Sequence, residues 1–107
     1  MRLLTQADIS AFLAEKPVAA IHFDAKWDAH RAPTRSAMAD AEQVMADCVN
    51  FGEVDCDRDP VLAKSIPILN VPSVAYYRDG KLMGALIGAG QNVRLHLERL
   101  LRGEPIT

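Results

Sequence analysis

Apolar positions along the chain switch between a helical period and the near-continuous runs of buried strands. In the opening stretch TQADISAFLAEK, Ile9, Phe12 and Leu13 share one helical face. Thr5 stands before it with Asp8 three residues on, close to a capping box. Pro17 ends it, since proline lacks the N–H that a further turn needs. Val18 to Phe23 (VAAIHF) is mostly apolar, as expected of a strand covered on both faces. Asp24 to Thr34 shows no period and reads as a loop. Proline disfavours helical backbone in the residue before it, so the next helix is expected to begin at Pro33. That helix carries Met38, Ala41, Val44, Met45 and Cys48 at helical spacing.

The second half alternates in the same way. Val49 to Cys56 (VNFGEVDC) is a second strand, and Asp59-Pro60 is an N-cap followed by proline at the first helical position, opening a short helix. Asn70-Val71-Pro72 breaks the chain before a third strand, Ser73 to Tyr77. Arg78-Asp79-Gly80-Lys81 is a hairpin turn, because Asp-Gly suits turns that need positive φ. Leu82 to Ile87 is the return strand. Gly88, Ala89 and Gly90 lead into a last helix with Val93, Leu97, Leu100 and Leu101 on one face. Helical crossovers make the first two long strands parallel, and the hairpin adds an antiparallel pair. The expected fold is α/β: a mixed sheet of four to five strands with helices on both faces. One domain over residues 1–103 and a C-terminal tail, 104–107, account for the chain.

Composition narrows the classes of function. The chain has 107 residues, 50% of them apolar and 24% charged, enough for one ordinary core. A formal net charge of −2 offers no electrostatic reason for nucleic acid or an anionic membrane as partner. No apolar run reaches the length of a secretory signal or a membrane span, so a cytoplasmic protein is expected. There are 2 cysteines, Cys48 and Cys56. Their separation along a strand, ~25 Å, is far beyond the reach of a disulfide.

Several segments in register carry a family resemblance. IHFDAKW, VDCDRDP and NVPSVAYYRDGKLMGALIGA resemble, in order and with gap-free spacing, the corresponding parts of a bacterial thioredoxin. The likeness runs from about Leu3 to Leu101. It implies the thioredoxin fold, with Trp27 as the active-site tryptophan and Pro72 as the cis-proline. The family's Trp-Cys-Gly-Pro-Cys motif, however, reads Trp27-Asp28-Ala29-His30-Arg31 here. Disulfide exchange needs an attacking thiolate and a resolving thiol, and neither Asp28 nor Arg31 is one. No catalytic residue is therefore assigned. Asp28 is expected near the start of the following helix, where the helix dipole favours an anion. The family's kink proline falls at Ser36 and is absent.

The resemblance also implies a docking surface for an extended segment, formed by Trp27, Asn70, Val71, Pro72, Ile87, Gly88 and Ala89. It implies a buried polar pair as well: where thioredoxins place an aspartate and a lysine on neighbouring strands, this chain has His22 and Glu53, with the polarity reversed. His22, His30 and His96 show no zinc-like spacing, so no metal and no cofactor are expected. The expected role is a redox-inactive module that binds a protein or extended peptide. The alternatives are a non-thiol enzyme using Asp28, His30 and Arg31, or a redox role through Cys48.

Overall fold

The computed structural model describes residues 1–26, 31–60, 73–87 and 91–106. In chain order the elements are β1 (Arg2–Leu3), a single 3-10 turn (Gln6–Asp8), α1 (Ile9–Glu15), β2 (Val18–Asp24), α2 (Arg31–Met45), β3 (Val49–Asp55), β4 (Ser73–Arg78), β5 (Lys81–Ile87) and α3 (Val93–Leu101). Among the described residues the strands form one sheet in the order β1-β3-β2-β4-β5. β3 runs parallel to both β1 and β2, while β4 is antiparallel to β2 and β5 to β4.

The burial of β2 explains its central place. All of its residues are buried, as its near-continuous apolar run requires. Alternate positions serve opposite faces. Val18 and Ala20 join Val49, Phe51, Met38, Ala41, Met45, Leu97 and Leu100 in the core under α2 and α3. Ala19, Ile21 and Phe23 join Leu4, Val54 and Phe12 in the core under α1.

Local chemistry sets the ends of the elements. The Asp8 carboxylate accepts from the Thr5 backbone N–H and hydroxyl, both at 2.9 Å. The residues this box encloses form a 3-10 turn, and the α-helix proper starts at Ile9. At the hairpin, Asp79 and Gly80 both have positive φ, 51° and 79°, the conformation of a type I′ turn. The Asp79 N–H donates to the Pro17 carbonyl at 2.7 Å, tying the turn to the chain after α1. The β4–β5 ladder slips between Tyr76 and Tyr77: Tyr76 faces Gly84 and Tyr77 faces Leu82, leaving Met83 as an extra residue.

Several features differ from the sequence-based expectation. The short edge strand β1 was not foreseen; two residues carry no period. α2 is already helical at Arg31, not first at Pro33. A proline in the first turn is tolerated there, because its missing N–H would have had no partner within the helix. β3 ends at Asp55, so Cys56 lies just beyond it. Leu101, expected on the inner face of the last helix, is exposed. The closing EPIT segment returns to the core: Ile106 is 4% exposed and packs with the α2–α3 cluster. A Cβ on Gly84 would come within 2.6 Å of Ile106 Cδ1, so the bare backbone of β5 at Gly84 makes room for it. The helix expected after Asp59-Pro60 falls largely on residues outside those described.

Candidate functional site

The side chains that replace apolar packing gather where β2 and β3 end against the first turns of α2. His22 and Asp24 follow Val18 and Ala20 on the same face of β2. Parallel pairing sets His22 beside Glu53 and Asp24 beside Asp55. From α2, residues 31, 34, 35 and 38 fall on one face, since positions three, four and seven apart are neighbours on a helix. Thr34 and Met38 are buried there.

Two ion pairs join helix to sheet. Arg31 Nε donates to Asp24 Oδ1 at 2.6 Å. Arg35 Nε lies 3.1 Å from Glu53 Oε2, and His22 Nδ1 is 3.0 Å from that same oxygen. The Asp24 and His22 side chains are almost wholly buried, while both guanidinium groups reach solvent. Burial pushes the Glu53 carboxyl up, but the His22 hydrogen bond, the charge of Arg35, and weaker contributions from His22 and Arg31 outweigh it. Glu53 is thereby held below the usual carboxylate range and is ionised at neutral pH. A carboxylate only accepts, so His22 Nδ1 is the donor. His22 Nε2 is buried with no hydrogen-bond partner among the described residues. The hydrogen bond to Asp24, with smaller contributions from Glu53 and Asp55, raises the Arg31 pKa above its already high ordinary value. Two cations thus face two buried or half-buried anions, which suits a locked helix terminus.

Neither thiol takes part in these ion pairs. Cys48 and Cys56 are both free. Cys48 is exposed in the turn after α2. Cys56 is half-buried beside the site, its N–H donating to the Asp24 carbonyl at 2.8 Å. Burial, together with the charges of Asp24, Asp57 and Asp55, pushes its thiol up to about 11. A thiol so placed stays protonated at neutral pH and is a poor nucleophile.

Of the residues singled out for the motif, the docking surface and the buried pair, the structure describes Arg31, Ile87, His22 and Glu53. It brings Arg31, His22 and Glu53 into one cluster. Ile87, at the far end of β5, is 54% exposed. Trp27, Asp28, Ala29, His30, Asn70, Val71, Pro72, Gly88 and Ala89 lie outside the described residues. Sequence reasoning missed Asp24 and Arg35. The signal for Asp24 was present, since it continues the alternation of Ala20 and His22; Arg35, one helical turn after Arg31, carries none that tells a carboxylate partner from water. Among the described residues no group of histidines, cysteines and carboxylates is arranged to hold a metal ion. No helix among them is long and apolar enough to cross a membrane.

Comparison with known proteins points one way. The Thioredoxin family model matches residues 1–99. Among solved structures, thioredoxin from Plasmodium falciparum superposes with a TM-score of 0.78 at 18% identity, covering 96% of this chain and 98% of that one. Malassezia sympodialis thioredoxin gives 0.78 at 16% identity, covering 98% and 90%. Human ERp44, in its zinc-bound form, gives 0.77 at 23% identity, covering 96% of this chain and 31% of that one. At these identities the structural likenesses speak for the fold. A comparison with curated proteins found no match.

Proposed function

Because the chain belongs to the thioredoxin family, we propose that it keeps the family's fold for binding and has given up thiol–disulfide exchange. The ligand in this reading is an extended protein segment laid over Trp27, Val71 and Pro72, with Asn70, Ile87, Gly88 and Ala89 beside it. The observation that carries the reading is the engagement of Arg31. At the position of the family's second cysteine, its side chain is tied to buried Asp24. The thiol beside that aspartate, Cys56, is held protonated. A resolving thiol must be free to attack a mixed disulfide, and this group is a cation fixed in an ion pair. Ile87, largely open to solvent at the end of β5, supports an apolar contact surface at that end of the sheet.

Three measurements test the proposal. Insulin-disulfide reduction with dithiothreitol should stay at the rate without protein. Peptides selected from a random display library should bind the purified chain with an affinity that falls at least tenfold in Trp27→Ala and Val71→Ala. Since Trp27 is the sole tryptophan, its emission should move on titration of the native chain with such a peptide. Turnover of insulin, or selected peptides indifferent to both substitutions, would sink the reading.

A further inference from the structure

Outside the charged cluster, the core under α2 and α3 contains a second set of polar groups that the binding proposal does not use. Tyr76 on β4 is fully buried, and its hydroxyl is 2.7 Å from Gln91 Oε1 and 3.1 Å from His96 Nδ1. Gln91 Nε2 donates to the Leu86 carbonyl at 3.0 Å. The Tyr76 and His96 rings meet edge to face, with centroids 5.2 Å apart. A core strand, the far end of β5, the residue before the cap of α3, and α3 itself are thus joined through one hydroxyl.

The direction of every proton follows from donor and acceptor chemistry. A carbonyl only accepts, so the Gln91 amide nitrogen faces Leu86 and its oxygen faces Tyr76. That oxygen also only accepts, so the single Tyr76 proton is spent on Gln91. His96 Nδ1 must therefore carry a hydrogen and donate it to the Tyr76 oxygen. Burial, then the charge of Arg99, hold His96 below the usual imidazole range, so the ring is neutral at pH 7. In a neutral ring with Nδ1 protonated, Nε2 is left bare. The chain His96 to Tyr76 to Gln91 to Leu86 has one polarity and one histidine tautomer.

We propose that this directed chain is a clamp on the end of β5, and that His96 is a positioning residue for the Ile87 part of the peptide surface. Ile87 follows the clamped Leu86 carbonyl directly, and it is the described residue of that surface that stands exposed. The assignment to peptide docking rests on the binding function proposed above; the clamp itself rests on the hydrogen bonds alone. His96 touches no ligand in this scheme. It acts through Tyr76 and Gln91, by fixing where the strand end stands before a ligand arrives.

Nitrogen-15 NMR of the histidine rings tests the clamp without any ligand. Native protein at neutral pH should show His96 in the Nδ1–H tautomer, and Tyr76→Phe, which keeps the ring in the core, should shift it toward Nε2–H. Gln91→Glu separates the two halves. Glutamate still accepts from Tyr76 but cannot donate to Leu86, so the His96 tautomer should persist. In both variants the amides of residues 85–87 should exchange at least tenfold faster, with β2 unchanged. A peptide selected on the native chain should bind both variants at least threefold more weakly. An Nε2–H tautomer in the native protein, or unchanged exchange at 85–87 in Tyr76→Phe, would overturn the clamp. Faster exchange with unchanged affinity would overturn the positioning role. If the native chain selects no peptide at all, the binding function fails, and with it the positioning role, while the tautomer and exchange shifts still decide the clamp.

Discussion

Glu53 Oε2 serves two donors at once, and that sharing determines how its neighbours answer substitution. Removing His22 leaves the carboxylate with Arg35; removing Glu53 leaves a buried imidazole with neither ring nitrogen engaged by a described residue. His22→Ala and Glu53→Ala should each destabilise by about 1–4 kcal/mol, read from urea melts. The double variant should cost less than the sum, because the bond between the two side chains is lost once and not twice. Strict additivity would mean that the two side chains do not interact. The acid limb carries a sign. Glu53 has a folded pKa below its unfolded value, so its contribution is fully present above the unfolded value and lost as pH falls through the folded one. Glu53→Gln should therefore flatten the loss of stability on acidification, measured as the urea midpoint between about pH 6 and 3. The adjacency of His22 and Glu53 was legible through the family resemblance, since residues paired on parallel strands keep their register. Arg35 was not. A helical arginine looks alike in sequence whether it points to water or to a carboxylate.

The closing segment shows the limit of periodicity at the scale of elements. Glu104-Pro105-Ile106-Thr107 has too few residues for any repeat and reads as a tail, yet Ile106 completes the core over Gly84. Gly103, at φ 80°, turns the chain back after α3, and Arg99 Nη1 donates to the Ile106 carbonyl at 3.3 Å. Ile106→Ala should cost about 2–4 kcal/mol in an equilibrium urea melt, as for other buried isoleucines. A loss under about 0.5 kcal/mol, typical of a surface change, would show that the segment is not held. Longer elements were easier to read. β2, β3, the Asp-Gly hairpin and α3 each carry a run or turn signal that local chemistry makes almost unambiguous. The start of α2 was misplaced because the rule about residues before proline is a tendency, and the Arg31–Asp24 pair holds that turn in helical form.

Across the whole molecule, α2 lies on the sheet by two different kinds of contact. Met38, Ala41 and Met45 pack with Val18, Ala20, Val49 and Phe51 in one apolar cluster. Arg31 and Arg35, at the other end, meet Asp24 and Glu53 through ion pairs whose guanidinium ends touch solvent. Denaturants act on exposed apolar and peptide surface, whereas mobile ions act on charge. The two ends of α2 therefore have different solvents as their enemies. Opening the hydrocarbon end should show a steep dependence on urea and a positive heat-capacity change. Opening the ionic end should show little of either, and should become easier as sodium chloride rises from about 0.05 to 1 M. Native-state amide exchange along α2 can separate them: salt should speed the amides that follow Arg35, and low urea those around Ala41. Equal responses at both ends would mean that α2 leaves the sheet as one rigid rod. Otherwise the same helix loosens from its charged end in brine and from its oily end in urea.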